Sequence, residues 1–287
     1  MKKNRLIITG IVVIAVIAAA FALLKHARDT EPVEAERTAW LEGPLIVHRG
    51  IHDDQLLPEN SIAAFAAAIA NGNPIELDVS LTRDGQVVVF HDKKLKRVFG
   101  ADTWLQDITY AELSQYTLAS TAETVPPFSE VLAFVDGLVP LLIEIKNEGE
   151  VGILESMVYD QLRTYKGEYA IQAFNPYSVK WFRDHAPEVL RGQLAGSFIV
   201  TDYEVEYQGT TRLPWYKSLL LSNLLMNFAS QPNFIAYETE NVDSNTLKGL
   251  RKLDVPVLGW TIDDQAEYDS VKPYFDNFIS NTTTIER

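Results

Sequence analysis

The chain has 287 residues, 47% hydrophobic and 22% charged, the make-up of a folded protein with a sizeable core rather than a disordered or fibrous one. Its formal net charge of −14 repels polyanions and argues against a nucleic-acid substrate. It has no cysteine, which excludes disulfides, thiolate metal sites, a cysteine nucleophile and a lipoprotein anchor.

Lys2, Lys3 and Arg5 precede an apolar run at residues 6–24, broken only by Thr9 and Gly10. As a helix that run is roughly 28 Å long, about the thickness of a bilayer's hydrocarbon core. The basic flank stays cytoplasmic, so residues 1–28 read as a cytoplasmic stub and transmembrane signal anchor in the cell membrane. Everything after them is then extracytoplasmic. The rival expectation is a secreted protein, because Ala20-Phe21-Ala22 resembles a signal-cleavage site. The length of the run, and the position of that site inside it, favour the anchor. A run with no polar face does not suit a soluble helix. Residues 29–40, with Pro32 and three glutamates, read as a linker.

Residues 41–287 show no repeat and no second linker. Their length is close to the ~250 residues typical of a (β/α)8 barrel. Short apolar runs recur at 45–47, 75–79, 87–90, 141–145, 170–174, 190–195, 234–237, 257–261 and 278–280. Between most of them lie helix-like stretches, at 61–71, 129–135, 151–165, 176–185, 241–253 and 264–274. Asn60 or Ser61 supplies a cap for the first of these and Gly72 its stop. This alternation predicts an α/β fold, a TIM-like barrel. Nine runs are one too many for eight places. Arg83-Asp84-Gly85 reads as a tight turn joining the second run to the third.

The chemistry gathers at the ends of the predicted strands, where barrels carry their active sites. Glu76 and Asp78 are two apart on one run, so their side chains share a face, and Glu144 lies on a later run. Three converging carboxylates repel one another unless a cation sits among them. All-oxygen donors suit one hard divalent ion, Ca2+ or Mg2+. The plainer reading of Glu76-Leu77-Asp78 alone is an exposed strand edge. His48 and His91 both end apolar runs. Such a pair suits phosphodiester hydrolysis: one removes a proton from the attacking oxygen and the other protonates the leaving alcohol. A lone strand-end histidine is more often structural; two beside three acids are not lone. Arg49 can grip a phosphate in a fork and Lys146 adds a second positive charge, unless each is a salt-bridge partner of the acids. Gln172 and Trp260 sit near strand ends, where they face the mouth or pack the barrel interior. Trp260 is placed to stack on a glycerol or head group. His52 reads as a loop residue and His185 as the end of an outer helix.

The motifs HRG, PEN, ELDV, T-x-D-G, VVFHD, EIK, QAF and W-T follow one another in that order. The set resembles the glycerophosphodiester phosphodiesterase family over essentially the whole chain after the linker. That resemblance implies a TIM-barrel-like fold and hydrolysis of glycerophosphodiesters to an alcohol and glycerol 3-phosphate. It implies a divalent ion on Glu76, Asp78 and Glu144, an acid/base pair in His48 and His91, and phosphate contacts from Arg49 and Lys146. Glu59 belongs to the same pattern, either behind the metal ligands or on a substrate hydroxyl; Pro58 and Asn60 beside it suit loop and cap roles. The C-terminal turn departs from the family's T-D-x-P-like pattern, reading Ser280-Asn281-Thr282-Thr283. Residues 213–228 are apolar and read as an outer barrel helix with its loop, or as a lid or lipid-touching segment. Two other functions stay open: a phospholipase D- or C-like enzyme on lipid or lysolipid, and a non-catalytic barrel that binds polyol phosphates.

Overall fold

Eight of the nine apolar runs pair side by side and in parallel. The computed structural model describes Ala19 and residues 22–53, 55–147, 149–241 and 243–287. The apolar run at residues 6–24 therefore lies almost wholly outside the described residues. Among those described, no helix is long and apolar enough to cross a membrane.

The strands are β1 (Ile46–Val47), β2 (Ile75–Leu81), β3 (Val87–Val89), β4 (Leu141–Ile145), β5 (Tyr169–Ala173), β6 (Leu190–Ala195), β7 (Phe234–Glu238), β8 (Val257–Ile262) and β9 (Asn277–Ser280). Their order is β1-β9-β8-β7-β6-β5-β4-β2, and β1 also pairs with β2, which closes the barrel. The surplus run is β3. It returns antiparallel along β2 from the turn at Arg83-Asp84-Gly85. It opens an insertion with a small core of its own, built on Val88, Phe90, Leu95, Leu105, Leu113, Leu118 and Val125.

Helices α1 (Ile62–Asn71), α2 (Phe128–Val135), α3 (Ile153–Leu162), α4 (Pro176–His185), α5 (Trp215–Ser222), α6 (Ser244–Leu250) and α7 (Gln265–Val271) follow their strands. Ser61 caps α1, its side chain accepting from the Ala64 amide, and Gly72 ends it in the left-handed region. Side chains that alternate along each strand divide the core in two. Leu77, Val79, Ile143 and Ile171 point outward against Phe65, Phe128, Val131, Val158 and Phe182 of α1 to α4. Ile46, Leu142, Ala170, Leu190, Phe234, Ala236 and Leu258 fill the interior, and Trp40 and Leu41 pack with them. Each such buried side chain stabilises by about 2 kcal/mol relative to exposure. Gly192 has no side chain because the Phe234 ring occupies that space; a Cβ there would lie 2.2 Å from the ring.

The stretch read as a linker is tied to the barrel floor, the end opposite the mouth. The Glu31 amide donates to Pro232 O at 3.0 Å, and Asn233 Nδ2 donates to Glu31 O at 2.8 Å. The Glu31 carboxylate pairs with Arg191, whose side chain is buried. Asn277 Nδ2 donates to the carbonyls of Leu41 and Pro44. Helix α5 stands where an outer helix is expected, but none of its residues is buried.

Candidate active site

Parallel register puts the acids in one layer at the mouth. Asp78 on β2 is opposite Glu144 on β4, and Glu144 is opposite Gln172 on β5. Glu76 shares Asp78's face through the two-residue repeat. All three carboxylates are buried, and one oxygen from each lies within 4.8 Å of the others.

Two cations close on this triad. Lys146 Nζ is 2.7 Å from Glu144 Oε1 and 3.3 Å from Asp78 Oδ1. Arg49 Nε is 3.3 Å from Asp78 Oδ2, and the Arg49 amide donates to Glu76 Oε2 at 3.1 Å. Arg49 reaches in because the His48-Arg49-Gly50 turn has positive φ at Arg49 (55°) and at Gly50 (83°). A Cβ on Gly50 would also lie 2.9 Å from the backbone of Ala64, so only glycine lets this turn rest on α1.

Charge on the triad is unevenly held. Burial pushes the Glu76 carboxyl well up, and its neighbours Asp78 and Glu144 add to this. Burial raises Glu144 too, against the pull of Lys146. Burial works against ionisation of Asp78 as well, yet Lys146, His91 and Arg49 together hold it below the usual carboxylate range.

Both histidines are oriented through Nδ1. His91 Nδ1 is 2.6 Å from Asp92 Oδ1, and Arg97 Nε donates to Asp92 Oδ2 at 2.6 Å. His48 Nδ1 is 2.7 Å from Asn281 Oδ1. Asn281 Nδ2 donates to Asp263 at 2.6 Å, which fixes the amide with its oxygen toward the imidazole. Nδ1 of each ring therefore carries the proton, and Nε2 is left as the basic nitrogen. Burial and the Arg49 charge lower His48 to about 3 and His91 to about 4, so both rings are neutral at neutral pH.

Glu59 sits away from the triad. It binds Arg49 Nη1 and Arg97 Nη1, each at 3.0 Å, and its carboxyl is held low by these two guanidinia. It steadies the arginine that faces the triad rather than the metal ligands. Asn60 is not the cap of α1; Ser61 has that role. Asn60 Nδ2 instead donates to Asp78 Oδ2 at 2.8 Å, which a positive φ of 56° at Asn60 makes possible. Gln172 is buried beside Glu144, and its Oε1 has no hydrogen-bond partner. Trp260 is partly exposed, edge-on to Phe174 at 5.5 Å, and Phe174 meets Phe198 at 5.8 Å. His52 lies in the loop after the turn, its Nδ1 on Gly50 O, and His185 stacks on Trp181 at the end of α4.

Sequence reasoning missed Asp92, Arg97, Asp263 and Asn281 as site residues. Asp92 was legible as the neighbour of His91. Arg97 lies in an insertion that no periodicity ties to the mouth. Asn281 and Asp263 act on a histidine more than two hundred residues away.

A barrel built only to bind has no use for two imidazoles oriented through Nδ1 beside clustered acids and anion-gripping cations. Such a set suits phosphodiester hydrolysis. The profile of the glycerophosphoryl diester phosphodiesterase family matches residues 48–275, and the chain belongs to that family. It is 26% identical over 250 residues to the glycerophosphodiester phosphodiesterase of Caldanaerobacter subterraneus, covering 83% of this chain and 93% of that one. It is 35% identical over 138 residues to a lysophospholipase D of Rattus norvegicus, covering 43% and 42% of the two chains. Among solved structures, a phosphodiesterase of Oleispira antarctica in complex with its product sn-glycerol-3-phosphate shares the fold. Its TM-score is 0.66 at 22% identity, over 83% of this chain and 92% of that one.

Proposed function

We propose that this enzyme hydrolyses small, water-soluble glycerophosphodiesters to an alcohol and glycerol 3-phosphate, with one divalent cation, Ca2+ or Mg2+, at Glu76, Asp78 and Glu144. The observation that carries the proposal is the pair of Nδ1-oriented imidazoles beside the acidic triad. The triad fits such an ion: its donors are all oxygen, they converge within 4.8 Å, and the buried Asp78 Oδ1, 3.3 Å from Lys146 Nζ, accepts no hydrogen bond among the described residues. An ion bound there supplies Lewis-acid stabilisation of charge on the phosphoryl oxygens. Arg49 and Lys146, already on the rim of the triad, grip the non-bridging oxygens. One imidazole takes a proton at Nε2 from the attacking oxygen, water or a hydroxyl of the substrate, as the new O–P bond forms. The other, doubly protonated once the substrate's phosphate anion offsets the Arg49 charge that holds its basicity down, gives its Nε2 proton to the leaving alcohol as the old P–O bond breaks. Asp92 and Asn281 hold the two rings for this exchange, and Glu59 keeps Arg49 extended. Trp260, with Phe174 behind it, offers an apolar face to the glycerol or head group.

The test follows glycerol 3-phosphate release from glycerophosphocholine, glycerophosphoethanolamine and glycerophosphoglycerol. Release is expected to stop with EDTA and return with Ca2+ or Mg2+. A folded, metal-loaded protein that releases none of it would overturn the proposal. A lysophospholipase D-like activity is the second reading, favoured by the partial likeness to the rat enzyme. Choline release from lysophosphatidylcholine separates the two. The pure polyol-phosphate binder is disfavoured, because binding needs no proton-transfer pair.

The location we propose is the cell membrane, with residues 6–24 as a single anchor and the barrel extracytoplasmic. The basic flank and length of that run support it. Protease added to intact cells should degrade the barrel; protection there, or release of the barrel into the medium, would favour another location.

A further inference from the structure

Helix α5 and the short helix Asn227–Ser230 after it carry an apolar surface with no partner among the described residues of the barrel. Trp215 is 78% exposed, Leu219 53% and Phe228 43%, and Tyr216 and Leu220 are also exposed. The other helices of eight or more residues each bury three or four side chains; α5 buries none. Patches of this kind on a soluble surface mark a binding face.

The charge pattern points to the occupant. No carboxylate occurs between Glu206 and Glu238, although the chain holds 39, and the charged residues in that stretch are Arg212 and Lys217. The only other acid-free stretch of similar length is the N-terminus before Asp29, which contains the apolar run. The fold brings the two together. Leu23 and Leu24, exposed in the helical residues 22–27, end that run. The His26 ring lies 6.2 Å from that of Phe228, and Arg28 Nε donates to Asn223 O at 2.9 Å. From Leu24 to His26 a helix rises only about 3 Å. A bilayer that takes up residues 6–24 thus comes within side-chain reach of Phe228 and of α5 beside it.

We infer that the face made by Trp215, Tyr216, Leu219, Leu220 and Phe228 seats the barrel's flank in the interface of a bilayer with anionic headgroups, with Lys25, Arg28 and Lys217 at the headgroup level. This rests on the proposed anchor and adds a second, interfacial contact to it. Tryptophan and tyrosine on the apolar side of a short helix, with a lysine flanking that side, are the residues that settle at that depth.

The cysteine-free chain allows a direct test. Full-length Leu219→Cys and Ile153→Cys are labelled with bimane and reconstituted in phosphatidylethanolamine–phosphatidylglycerol vesicles, with and without brominated acyl chains. Ile153 is exposed and apolar, on α3 away from this face. Both variants should keep wild-type hydrolysis, which confirms folding. The expected result is flotation with the vesicles and several-fold stronger quenching at position 219 than at 153. Flotation with equal, weak quenching at both positions would overturn the inference and leave the anchor standing. Failure to float would overturn both. Flotation with no quenching of the label, and ready oxidation of the unlabelled Leu219→Cys variant to a disulfide-linked dimer, would show a second copy on this face and overturn it as well.

Discussion

The sharpest test of the acid/base assignment lies in the chain His48–Asn281–Asp263. At present an amide touches His48 and the carboxylate stands behind it, with Asn281 Oδ1 2.7 Å from the ring and Asn281 Nδ2 2.6 Å from Asp263. The double substitution Asn281→Asp with Asp263→Asn exchanges the two groups. It keeps net charge and keeps the hydrogen bond between them with its direction reversed. The single Asn281→Asp would set two carboxylates against each other and confuse the result. The swap moves one negative charge from about 8 Å to about 4 Å from the imidazole. At an effective dielectric of 20 that changes the attraction by about 2 kcal/mol, and exposure of Asp263 halves it, leaving about one pKa unit. The sign is upward: the carboxylate favours the imidazolium, so His48 stays protonated to higher pH. The assay is the pH profile of kcat/KM for glycerophosphocholine hydrolysis at saturating metal. If His48 is the base, the acid limb moves up by about one unit; if it is the acid, the alkaline limb does. Two unmoved limbs in a folded, active variant would remove His48 from proton transfer.

Four further outcomes follow from the same geometry. His91→Ala should lower kcat by about 10²–10⁴-fold with metal affinity by calorimetry unchanged; retained turnover would end its role. Glu144→Gln should weaken cation binding about tenfold or more, and an unchanged Kd would take Glu144 out of the ligand set. Arg97→Leu removes the guanidinium shared by part-buried Glu59 and buried Asp92, leaving them only Arg49 and His91, and costs about 3 kcal/mol at neutral pH by denaturant titration. Both carboxyls are held low in the fold, so that cost is present above their ordinary pKa values and shrinks as pH falls; a gap that stays constant down to pH 3 would refute the ion-pair account. Gly192→Ala, which drives a Cβ into the Phe234 ring, should destabilise by about 1–3 kcal/mol in the same titration, while an unshifted midpoint would mean the ring moves freely.

The barrel was legible because its strands are buried on both faces, so each reads as a short apolar run, and β4 and β6 begin and end where those runs do. Strand β3 gave the same signal although it lies outside the barrel, because it too is covered on both faces, Val88 by the insertion's own core and Val87 and Val89 by the core under the outer helices. Composition reports burial and not which neighbour supplies it. The triad and both histidines were legible from strand position, since the two-residue repeat fixes which side chains share a face. The groups that orient the histidines were not. Asn281, Asp263 and Arg97 act across the mouth, and no local pattern marks a contact between residues 48 and 281. Asn60 was legible as a helix-start residue but not as Asp78's partner, because that bond needs a left-handed backbone no periodicity predicts.

The bonds from Glu31 and Asn233, and the burial of Trp40 and Leu41 beneath the barrel, change what kind of tether the N-terminal stretch is. A free strand of a dozen residues would let the catalytic end wander through a wide cap of orientations, sampling the surface it hangs from. A strand corked into the base works as a fixed bearing. On the proposed anchor it would hold the opening, on the order of 20 Å of strand rise from the base, in one fixed orientation. Shortening the chain past Leu41 would not merely free the domain; it would pull the cork and open the base of the barrel to water.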